Sequence, residues 1–534
     1  MKNRVTFIAV VGLLLIIALV ISLVIVARAK KEQEDAICYT VGCVHTGEFL
    51  QDGCSSKILE NMNPEVDPCE DFFEFACGGF TDLNPIPDDE IKIDTFAMVE
   101  KQLYERVRTR IEEPSNPDEP KPFALVKNLY KTCMNTCESF NKITSHGFLY
   151  QALSTLRIRT YPSIQWEDYI NKLMPPTIRV DSSEVITVLE PSFIKGLEKH
   201  LRDTPKRVQA NYVMWRTTAA SIRYLTQDIR KIQLEYSKAL NGKTESKPRW
   251  QECVNMVLEE LPISTGALYV RKYLKQDAKQ NAVEMSHRLS RRTSRRQKAR
   301  GILCFSIRNE KSTREAEGTR QQKRMDCPWP SKLPAGILHG TFFTHDRPRY
   351  MNYGAIGFVI AHEITHGFDD KGRQFDGKGN LVDWWARETE VKYLEKAKCI
   401  IYQYSNYTEK SIGLNVSFSH ELLNGLNTQG ENIADNGGIE VAYQAYQEWI
   451  KRNSPEPKLP GLKYTPEQMF WIGAANTWCV KYRPEALKHY IKTDVHSPGQ
   501  FRILGPFSNM PEFATDFNCS KNSTMNPEQK CSVW

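Results

Sequence analysis

The sequence has little net charge once one short segment is set aside. Of its 534 residues, 71 are Lys or Arg and 64 are Asp or Glu, which gives a formal net charge of +7. A single basic run at residues 288–300 supplies that excess. The rest of the chain is balanced, so its charge gives no support for a nucleic-acid partner. Internal repeats are also absent, so nothing indicates a repeat architecture.

A clear signal-peptide cleavage site is lacking at the N-terminus. Residues 5–27 form an apolar run of 23 residues, which is long enough to cross a bilayer as a helix. The run is too long for an ordinary signal-peptide core, and no small-residue cleavage motif follows it. We therefore expect a transmembrane helix in the lipid bilayer at 5–27, a cytosolic N-terminus at 1–4 and a charged stalk at 28–37.

The orientation of this anchor follows from features downstream of it. Basic residues flank both ends of the run, so the positive-inside rule does not decide the orientation. All 14 cysteines lie beyond the run, which suits an oxidising compartment. Three glycosylation acceptors agree with this: Asn406, Asn415 and Asn522. The sequence predicts a single-pass type II protein of the plasma membrane with an extracellular C-terminal part.

The length of the chain predicts two packed lobes. Residues 38–333 carry helical patterns, for example at 95–110 and 208–240, and form the predicted N-terminal and helical lobe. Residues 334–534 form a second, dense globular region. The stretch 286–332 is rich in Arg, Lys, Ser and Gln and lacks sustained periodicity, so we expect a solvated, irregular loop there.

Two histidines four residues apart indicate a metal site. In Ala-His-Glu-Ile-Thr-His-Gly at 361–367, His362 and His366 would differ by about 40° around a helix, so both can reach one ion. Glu363 can then take a proton from metal-bound water. Isoleucines at 356, 360 and 364 form an apolar stripe on the other face, which favours a helix that packs on one side and lines a cleft on the other. The alternative is a buried helix whose histidines are satisfied by hydrogen bonds.

A catalytic zinc needs a third protein ligand and an open position for water. Glu431 and Asp435 are again four residues apart, so a helix would place both on one face. Glu431 could be the ligand and Asp435 could accept a hydrogen bond from a ligand histidine. Gly437 and Gly438 follow, and each is tolerable in a helix if another backbone approaches closely there. The alternative is a pair of carboxylates on a solvated helix.

Together these motifs resemble the neprilysin and endothelin-converting-enzyme family of zinc metallopeptidases. The resemblance covers 334–534 almost continuously and continues upstream in pieces. Its most specific segments are His-Glu-Ile-Thr-His-Gly-Phe-Asp-Asp at 362–370, Leu-Val-Asp-Trp-Trp at 381–385, Gly-Glu-Asn-Ile-Ala-Asp-Asn-Gly-Gly at 430–438 and Lys-Thr-Asp-Val-His-Ser-Pro at 492–498.

The resemblance implies a fold, a cofactor and a reaction. The fold would be mainly α with a small β component: a two-lobed zincin with a thermolysin-like catalytic lobe and a helical lobe. One Zn²⁺ per chain would be held by His362, His366 and Glu431, with Glu363 as the general base. The enzyme would be a metalloendopeptidase that hydrolyses short extracellular peptides, on the amino side of hydrophobic residues.

The resemblance also implies roles for four further residues. Asp369 and Asp435 would be hydrogen-bond partners of the two ligand histidines. His496 would stabilise the oxyanion of the tetrahedral intermediate, and Arg502 would hold a substrate carbonyl. Neither the oligomeric state, for which a homodimer is one option, nor the physiological peptide follows from the sequence.

The family's disulfide pattern can be transferred to ten of the cysteines. It would pair Cys38 with Cys43, Cys69 with Cys519, Cys77 with Cys479, Cys133 with Cys253, and Cys399 with Cys531. Four cysteines have no counterpart in that pattern: Cys54, Cys137, Cys304 and Cys327.

The sequence departs from the family where the substrate would be aligned. Family members carry an Asn-Ala-Tyr-Tyr edge strand shortly before the segment matching 334–338, and this strand binds the substrate backbone. Here Pro328 and Pro330 occupy that region, so we expect no hydrogen-bonding edge strand. The chain is also shorter than the family around 138–163 and 290–332, which belong largely to the lobe above the active site.

These departures leave three interpretations of the chain. The first is an active zinc peptidase with altered affinity. The second is a weakly active or inactive relative that acts as a peptide-binding or interaction protein. The third is a misassembled or alternatively spliced coding sequence, for which the unassigned cysteines and the basic stretch are suggestive.

Overall fold

The structure is a computed structural model that describes the chain from residue 54 onward, with gaps. The described residues are 54–116, 118–135, 202–222, 227–296, 304–306, 330–332, 334–345, 347–376, 380, 382–408, 423–459 and 462–533. Within these ranges no helix has the length and apolar character needed to span a membrane. The predicted span 5–27, the Cys38–Cys43 pair and the acceptor Asn415 lie outside the described residues, whereas Asn406 and Asn522 are both exposed.

The described chain is mainly helical, as expected, with a few short strands. Before the metal-binding motif the elements are α1 Cys54–Asn61, α2 Phe72–Leu83, β1 Lys92–Asp94, α3 Thr95–Glu112, α4 Lys121–Met134, α5 Lys206–Ser221, α6 Gln227–Asn241, α7 Arg249–Glu260, α8 Pro262–Tyr273, α9 Gln276–Arg296, β2 Cys304–Ser306 and β3 Pro330–Lys332. From there on they are α10 Arg349–Asn352, α11 Phe358–Thr365, α12 Arg387–Ser405, α13 Gln429–Ile450, α14 Pro466–Asn476, β4 Val480–Tyr482, α15 Pro484–Thr493, α16 Phe501–Ser508 and α17 Pro511–Asp516. A π-helical turn, Tyr353–Gly357, joins α10 to α11.

Side-chain caps begin several of these helices. Asp71 accepts a hydrogen bond from Glu74 N at the start of α2, and Asp94 accepts one from Ala97 N at the start of α3. At α14, Thr465 and Gln468 form a reciprocal capping box. Each cap satisfies a backbone N–H that the helix itself leaves unpaired, and so fixes where the helix starts.

Among the described residues, buried apolar side chains form three clusters. The largest joins the two ends of the described chain, because Phe72 and Phe80 of α2 pack with residues such as Trp471 and Phe513 near the C-terminus. A second cluster lies among α3, α4, α7 and α8. The third includes Tyr404, Ile433 and Phe501 from α12, α13 and α16.

The N-terminal part of the described chain is built into the C-terminal part. Strand β1 pairs antiparallel with β4, with Asp94 opposite Val480. Buried side-chain amides join α1 to α14, since Asn61 Nδ2 donates to Asn476 Oδ1 at 2.6 Å. Thr95 Oγ1 donates to the backbone oxygen of Asn476 at 2.8 Å. The end of α14 and the strand after it are therefore held by residues about four hundred positions earlier in the sequence.

Four of the five disulfides that the family resemblance implies fall within the described residues, and all four are present. They are Cys69–Cys519, Cys77–Cys479, Cys133–Cys253 and Cys399–Cys531. The first two join residues 450 and 402 positions apart. Both lie where α2 packs against the C-terminal region, so they reinforce the contacts already made by the largest apolar cluster.

The expectation of an irregular loop at 286–332 is wrong for its first part. Residues 286–296 continue helix α9, whose inner face buries Met285 and Leu289 at 2% and 0% exposure. Two of its basic residues form ion pairs, Arg288 with Glu284 and Arg292 with Glu448 of α13. The high charge of the segment hid an amphipathic helix, because few apolar residues are needed to bury one face.

The expectation of no hydrogen-bonding edge strand before residue 334 is wrong in that a short strand forms there. Strand β3 forms at Pro330–Lys332 and pairs parallel with β2, with Phe305 opposite Ser331. Proline is tolerated at the first residue of a strand, which is where Pro330 lies. A short strand therefore forms despite Pro330, although that residue has no N–H to offer a neighbouring chain.

We expect the Cys77–Cys479 bond to stabilise the protein even when Cys69–Cys519 is intact. With Cys69–Cys519 formed, it still closes a loop of roughly 50 residues, and its removal should lower the free energy of unfolding by about 4 kcal/mol. Urea unfolding of the Cys77→Ala/Cys479→Ala protein measures this loss. Peptide mapping without reduction is the companion measurement. A bond between Cys69 and Cys77 would contradict the structure.

Candidate metal centre

Helix α11 is buried and carries His362, and His366 directly follows its last residue, Thr365. Ile356, Ile360 and Ile364 are at most 1% exposed, which confirms the predicted apolar stripe. His362 is 5% exposed. The neighbouring Glu363 is exposed and lines the same cavity as His362. The helix therefore packs on one face and presents its polar groups to a cleft.

Helix α13 crosses α11 at very short range. A Cβ on Gly438 would lie 2.7 Å from the backbone nitrogen of His362, and one on Gly437 would lie 2.7 Å from Cγ2 of Thr365. A side chain at either position would therefore separate the helices. The prediction that a glycine here admits a close backbone is confirmed for Gly438, whereas Gly437 lies against the side chain of Thr365. The approach carries Glu431 to the histidines.

Three ligand atoms from the two helices converge. Nε2 of His362 lies 2.9 Å from Nε2 of His366. Oε2 of Glu431 lies 3.2 Å from the first and 3.4 Å from the second. Two ligands of a tetrahedral zinc, each about 2.0–2.1 Å from the ion, are about 3.3 Å apart, so these residues fit that ion. They are the group among the described residues that could hold a metal.

Each histidine has a carboxylate at its other ring nitrogen. Nδ1 of His366 lies 2.7 Å from Oδ2 of Asp369, and Nδ1 of His362 lies 2.8 Å from Oδ1 of Asp435. Oδ1 of Asp369 accepts from the backbone nitrogens of Lys371 and Gly372 at 2.9 and 2.6 Å. Carboxylates in this position fix the tautomer and the ring orientation of a metal-binding histidine.

The charges of the site shift its titration. Burial alone lowers the pKa of His366, but its contacts with Asp369 and Glu431 outweigh burial and raise the pKa to about 10. Burial alone raises the pKa of Glu431, whereas the two histidines hold it well below its usual value. Glu431 is therefore an anion, the form that ligates a metal, and a bound cation would displace the proton of His366.

Arg502 is bound to the carboxylate behind His362. Its Nε and Nη2 donate to Oδ2 and Oδ1 of Asp435, each at 2.8 Å. The guanidinium lies over the ring of Trp478 at 3.7 Å from the centroid. Burial tends to raise the pKa of Asp435, but Arg502 and His362 lower it. The bidentate pair uses only Nε and Nη2 of the guanidinium. Arg502 also lines the cavity.

His496 also lies close to Glu431. Its Nε2 is 3.3 Å from Oε2 of Glu431. Its backbone nitrogen and its Nδ1 are 2.8 and 2.7 Å from Oδ1 of Asp494. The ring is thus held by a residue two positions earlier, with Nε2 facing the metal-binding group.

His362, Glu363, His496 and Arg502 line a cavity of about 500 Å³. One wall comes from β1 and the start of α3, with Lys92, Asp94 and Phe96. Apolar side chains complete much of the remaining surface: Ile337, Val359, Trp478 and Val480. The cavity is large enough for a few residues of a peptide, and its wall is partly apolar next to the convergent polar groups.

Sequence reasoning did not single out Asp494 or Trp478. Asp494 could have been found, because an aspartate two residues before a histidine commonly accepts from the backbone nitrogen at that position. Trp478 gave no comparable signal. Its position over Arg502 depends on packing between segments that are not adjacent in the sequence.

The close approach at Gly438 can be tested with a single methyl group. We expect Gly438→Ala to push α13 away from His362, lowering both zinc affinity and stability, the latter by about 1–3 kcal/mol. Gly473→Ala is the matched control, because its Cβ would have no neighbour nearer than 3.7 Å. Zinc titration and thermal unfolding measure the two effects. If the two variants had equal zinc affinity and stability, the close approach of α13 to α11 would not determine the geometry of the metal site.

Comparison with known proteins agrees with the geometry. Two family models, both described as Peptidase family M13, match the chain over residues 331–533 and over residues 68–148 and 140–296. Neprilysin-2 of Drosophila melanogaster is 34% identical over an alignment that covers 95% of this chain and 91% of the fly protein. Endothelin-converting enzyme 1 of Mus musculus is 26% identical over 93% of this chain and 88% of the mouse protein.

A solved structure has the same fold. The crystal structure of a zinc metalloprotease from Mycobacterium tuberculosis in complex with an inhibitor aligns with a TM-score of 0.69, at 19% identity. The alignment covers 89% of this chain and 98% of that one. The sequence matches extend over both halves of the chain, and the chain therefore belongs to peptidase family M13, the zinc metalloendopeptidases that include neprilysin and endothelin-converting enzyme.

Proposed function

We propose that the protein is a membrane-anchored zinc metalloendopeptidase that hydrolyses short peptides outside the cell. The observation that carries the proposal is the convergence of His362, His366 and Glu431 beside a cavity that Glu363 also lines. Residues 5–27 would anchor the chain in the plasma membrane. The four disulfides and the exposed acceptors Asn406 and Asn522 support an extracellular location for the remainder.

The zinc ion would be held by His362, His366 and Glu431, with Asp435 and Asp369 orienting the two histidines. When bound, zinc supplies Lewis-acid chemistry: it polarises a peptide carbonyl and acidifies water. The three protein ligands leave a position for water or substrate, as a catalytic rather than a structural site requires.

Glu363 is proposed as the general base. It follows the ligand His362 on α11, and it is exposed to the cavity rather than buried in an ion pair. In this role its carboxylate accepts a proton from the attacking water and can then deliver it to the departing amine. Correct placement of such a group contributes about 10²- to 10⁴-fold in rate.

His496 and Arg502 are proposed to contact the substrate. Asp494 orients the ring of His496 so that Nε2 faces the site, where it can donate to the developing oxyanion. Asp435 binds Nε and Nη2 of Arg502, which leaves Nη1 for a substrate carbonyl. The apolar side chains Phe96, Val359 and Trp478 support a preference for a hydrophobic residue after the cleaved bond.

Substrate alignment is where we expect this chain to differ from its relatives. Strand β3 ends two residues before Pro334, which lines the cavity, but Pro330 has no N–H to donate to an extended peptide. Fewer backbone hydrogen bonds should weaken productive binding, each by about 1 kcal/mol. We therefore expect the wild-type protein to bind a full equivalent of zinc and to cleave extended peptides with a low kcat/KM.

The ligand assignment predicts that His362→Ala protein loses zinc. Removing one of three ligands leaves too few donors for a stable site, so the purified variant should contain far less than one equivalent of metal. Metal analysis by mass spectrometry measures this. The control is His489→Ala, which removes an exposed histidine on α15. Retention of a full equivalent by His362→Ala would overturn the assignment.

The base assignment predicts a different result for Glu363→Gln. The amide cannot accept the proton, so cleavage of a fluorogenic peptide should fall by about 10²- to 10⁴-fold. Zinc content should remain at one equivalent, because Glu363 is not a ligand. Glu388→Gln, at an exposed site on α12, is the control. Full activity of Glu363→Gln would refute the assignment, whereas an inactive wild type with bound zinc would favour the peptide-binding alternative.

A further inference from the structure

A buried hydrogen bond attaches the loop of His496 to the helix of Glu431. Ser497 Oγ donates to Oδ1 of Asn432 at 2.8 Å. Asn432 is 0% exposed and Ser497 is 1% exposed. Each of these residues directly follows a residue of the site, and Nε2 of His496 lies 3.3 Å from Oε2 of Glu431 beside them. The same two segments therefore meet at two adjacent points.

The orientation of the Asn432 amide is fixed by its other partner. Its Nδ2 donates to Thr428 Oγ1 at 2.8 Å, and that hydroxyl donates to the backbone oxygen of Asn424 at 3.1 Å. The backbone oxygen of Asn424 can only accept, so the hydroxyl proton of Thr428 points to it. A lone pair of the Thr428 hydroxyl oxygen then accepts from Nδ2 of Asn432. Oδ1 of Asn432 is thereby left to accept from Ser497.

The Ser497–Asn432 hydrogen bond holds the His496 loop in the interior, whereas another hydrogen bond to the same region lies in an exposed position. Asp494 holds the ring and the backbone nitrogen of His496, but Asp494 belongs to the loop itself. Nδ2 of Asn427 donates to the backbone oxygen of Asp494 at 2.8 Å, in an exposed position. Water competes there, whereas a hydrogen bond in the interior is stronger and more strictly oriented.

We propose that Asn432, acting through Ser497, is a positioning residue that sets the distance of His496 from the metal-binding group. The inference rests on the proposed function, because it assumes that His496 acts on the substrate. Neither residue is a metal ligand, and Ser497 lines the cavity beside His496. Their proposed effect is on the position of the His496 ring during the reaction.

Ser497→Ala tests the contact with the smallest change, since it removes one hydroxyl. A catalytic group misplaced by about 1 Å can cost about 100-fold in rate, so kcat should fall about 10- to 100-fold. KM and zinc content should stay at the wild-type level. Gln429→Ala is the control on the same helix, because its side chain bonds only to the nearby backbone oxygen of Leu426. Wild-type kcat in Ser497→Ala would overturn the inference.

A double-mutant cycle separates positioning from general damage. In a His496→Ala background, Ser497→Ala should cause no further loss of kcat, because the loop then carries no catalytic group. An equal loss in both backgrounds would show a merely structural effect and overturn the inference. If His496→Ala itself left kcat unchanged, the proposed role of His496 would be wrong and this inference would fall with it.

Hydrogen exchange of the metal-free protein gives a readout independent of turnover. In Ser497→Ala and in Asn432→Ala, the peptide covering residues 494–500 should exchange faster than in the wild type. The peptide covering residues 356–366 should be unchanged, since α11 does not use this contact. Unchanged exchange at 494–500 in both variants would contradict the inference, and faster exchange there supports it.

Discussion

The metal centre depends on the distance between two helices. His362 belongs to α11, His366 directly follows that helix and Glu431 lies on α13, so the separation of the two helices sets the separation of the ligand atoms. Packed helices ordinarily lie about 8–10 Å apart, a distance set by the side chains between them. Here Gly438 places no side chain against His362, and Gly437 places none against Thr365. Only this absence lets short side chains such as Glu431 reach both imidazoles within 3.4 Å.

The same approach buries a charge that the fold must compensate. Asp435 lies one turn beyond Glu431 and is 0% exposed. A buried carboxylate is strongly unfavourable unless it is paired and hydrogen-bonded. Arg502 supplies two hydrogen bonds and His362 a third contact, while Trp478 covers the guanidinium. Orientation of the ligand histidine and placement of the arginine in the cavity are therefore parts of one buried network.

Local sequence patterns predicted the elements of this site better than their assembly. The spacing of His362 and His366 and the isoleucine stripe at 356, 360 and 364 are helical signals, and both helix and stripe are present. The glycines of α13 gave a reason for close packing, but no local pattern indicated which backbone they would meet. Asn432 and Ser497 are 65 positions apart, so their contact follows only from the tertiary structure.

The errors have physical causes of the same kind. High charge made residues 286–296 look like a solvated loop, yet Leu289 and its neighbours pack α9 against α11 and α13. Prolines argued against a strand at β3, but Pro330 is its first residue, where a missing N–H costs little. In both cases tertiary packing outweighed composition over a short segment.

Walls of the cavity come from both the N-terminal and the C-terminal part of the described chain. Lys92, Asp94 and Phe96 face residues of the C-terminal region across the cavity. The pairing of β1 with β4, the Cys77–Cys479 bond and the Asn61–Asn476 hydrogen bond hold the two parts together. We expect the chain to be shorter than its family around 138–163 and 290–332, which lie between these parts in the sequence. The strand pairing, the disulfide and the hydrogen bond that join the two parts use residues outside those regions. These three contacts can therefore hold the walls of the cavity together whatever the length of the sequence between them.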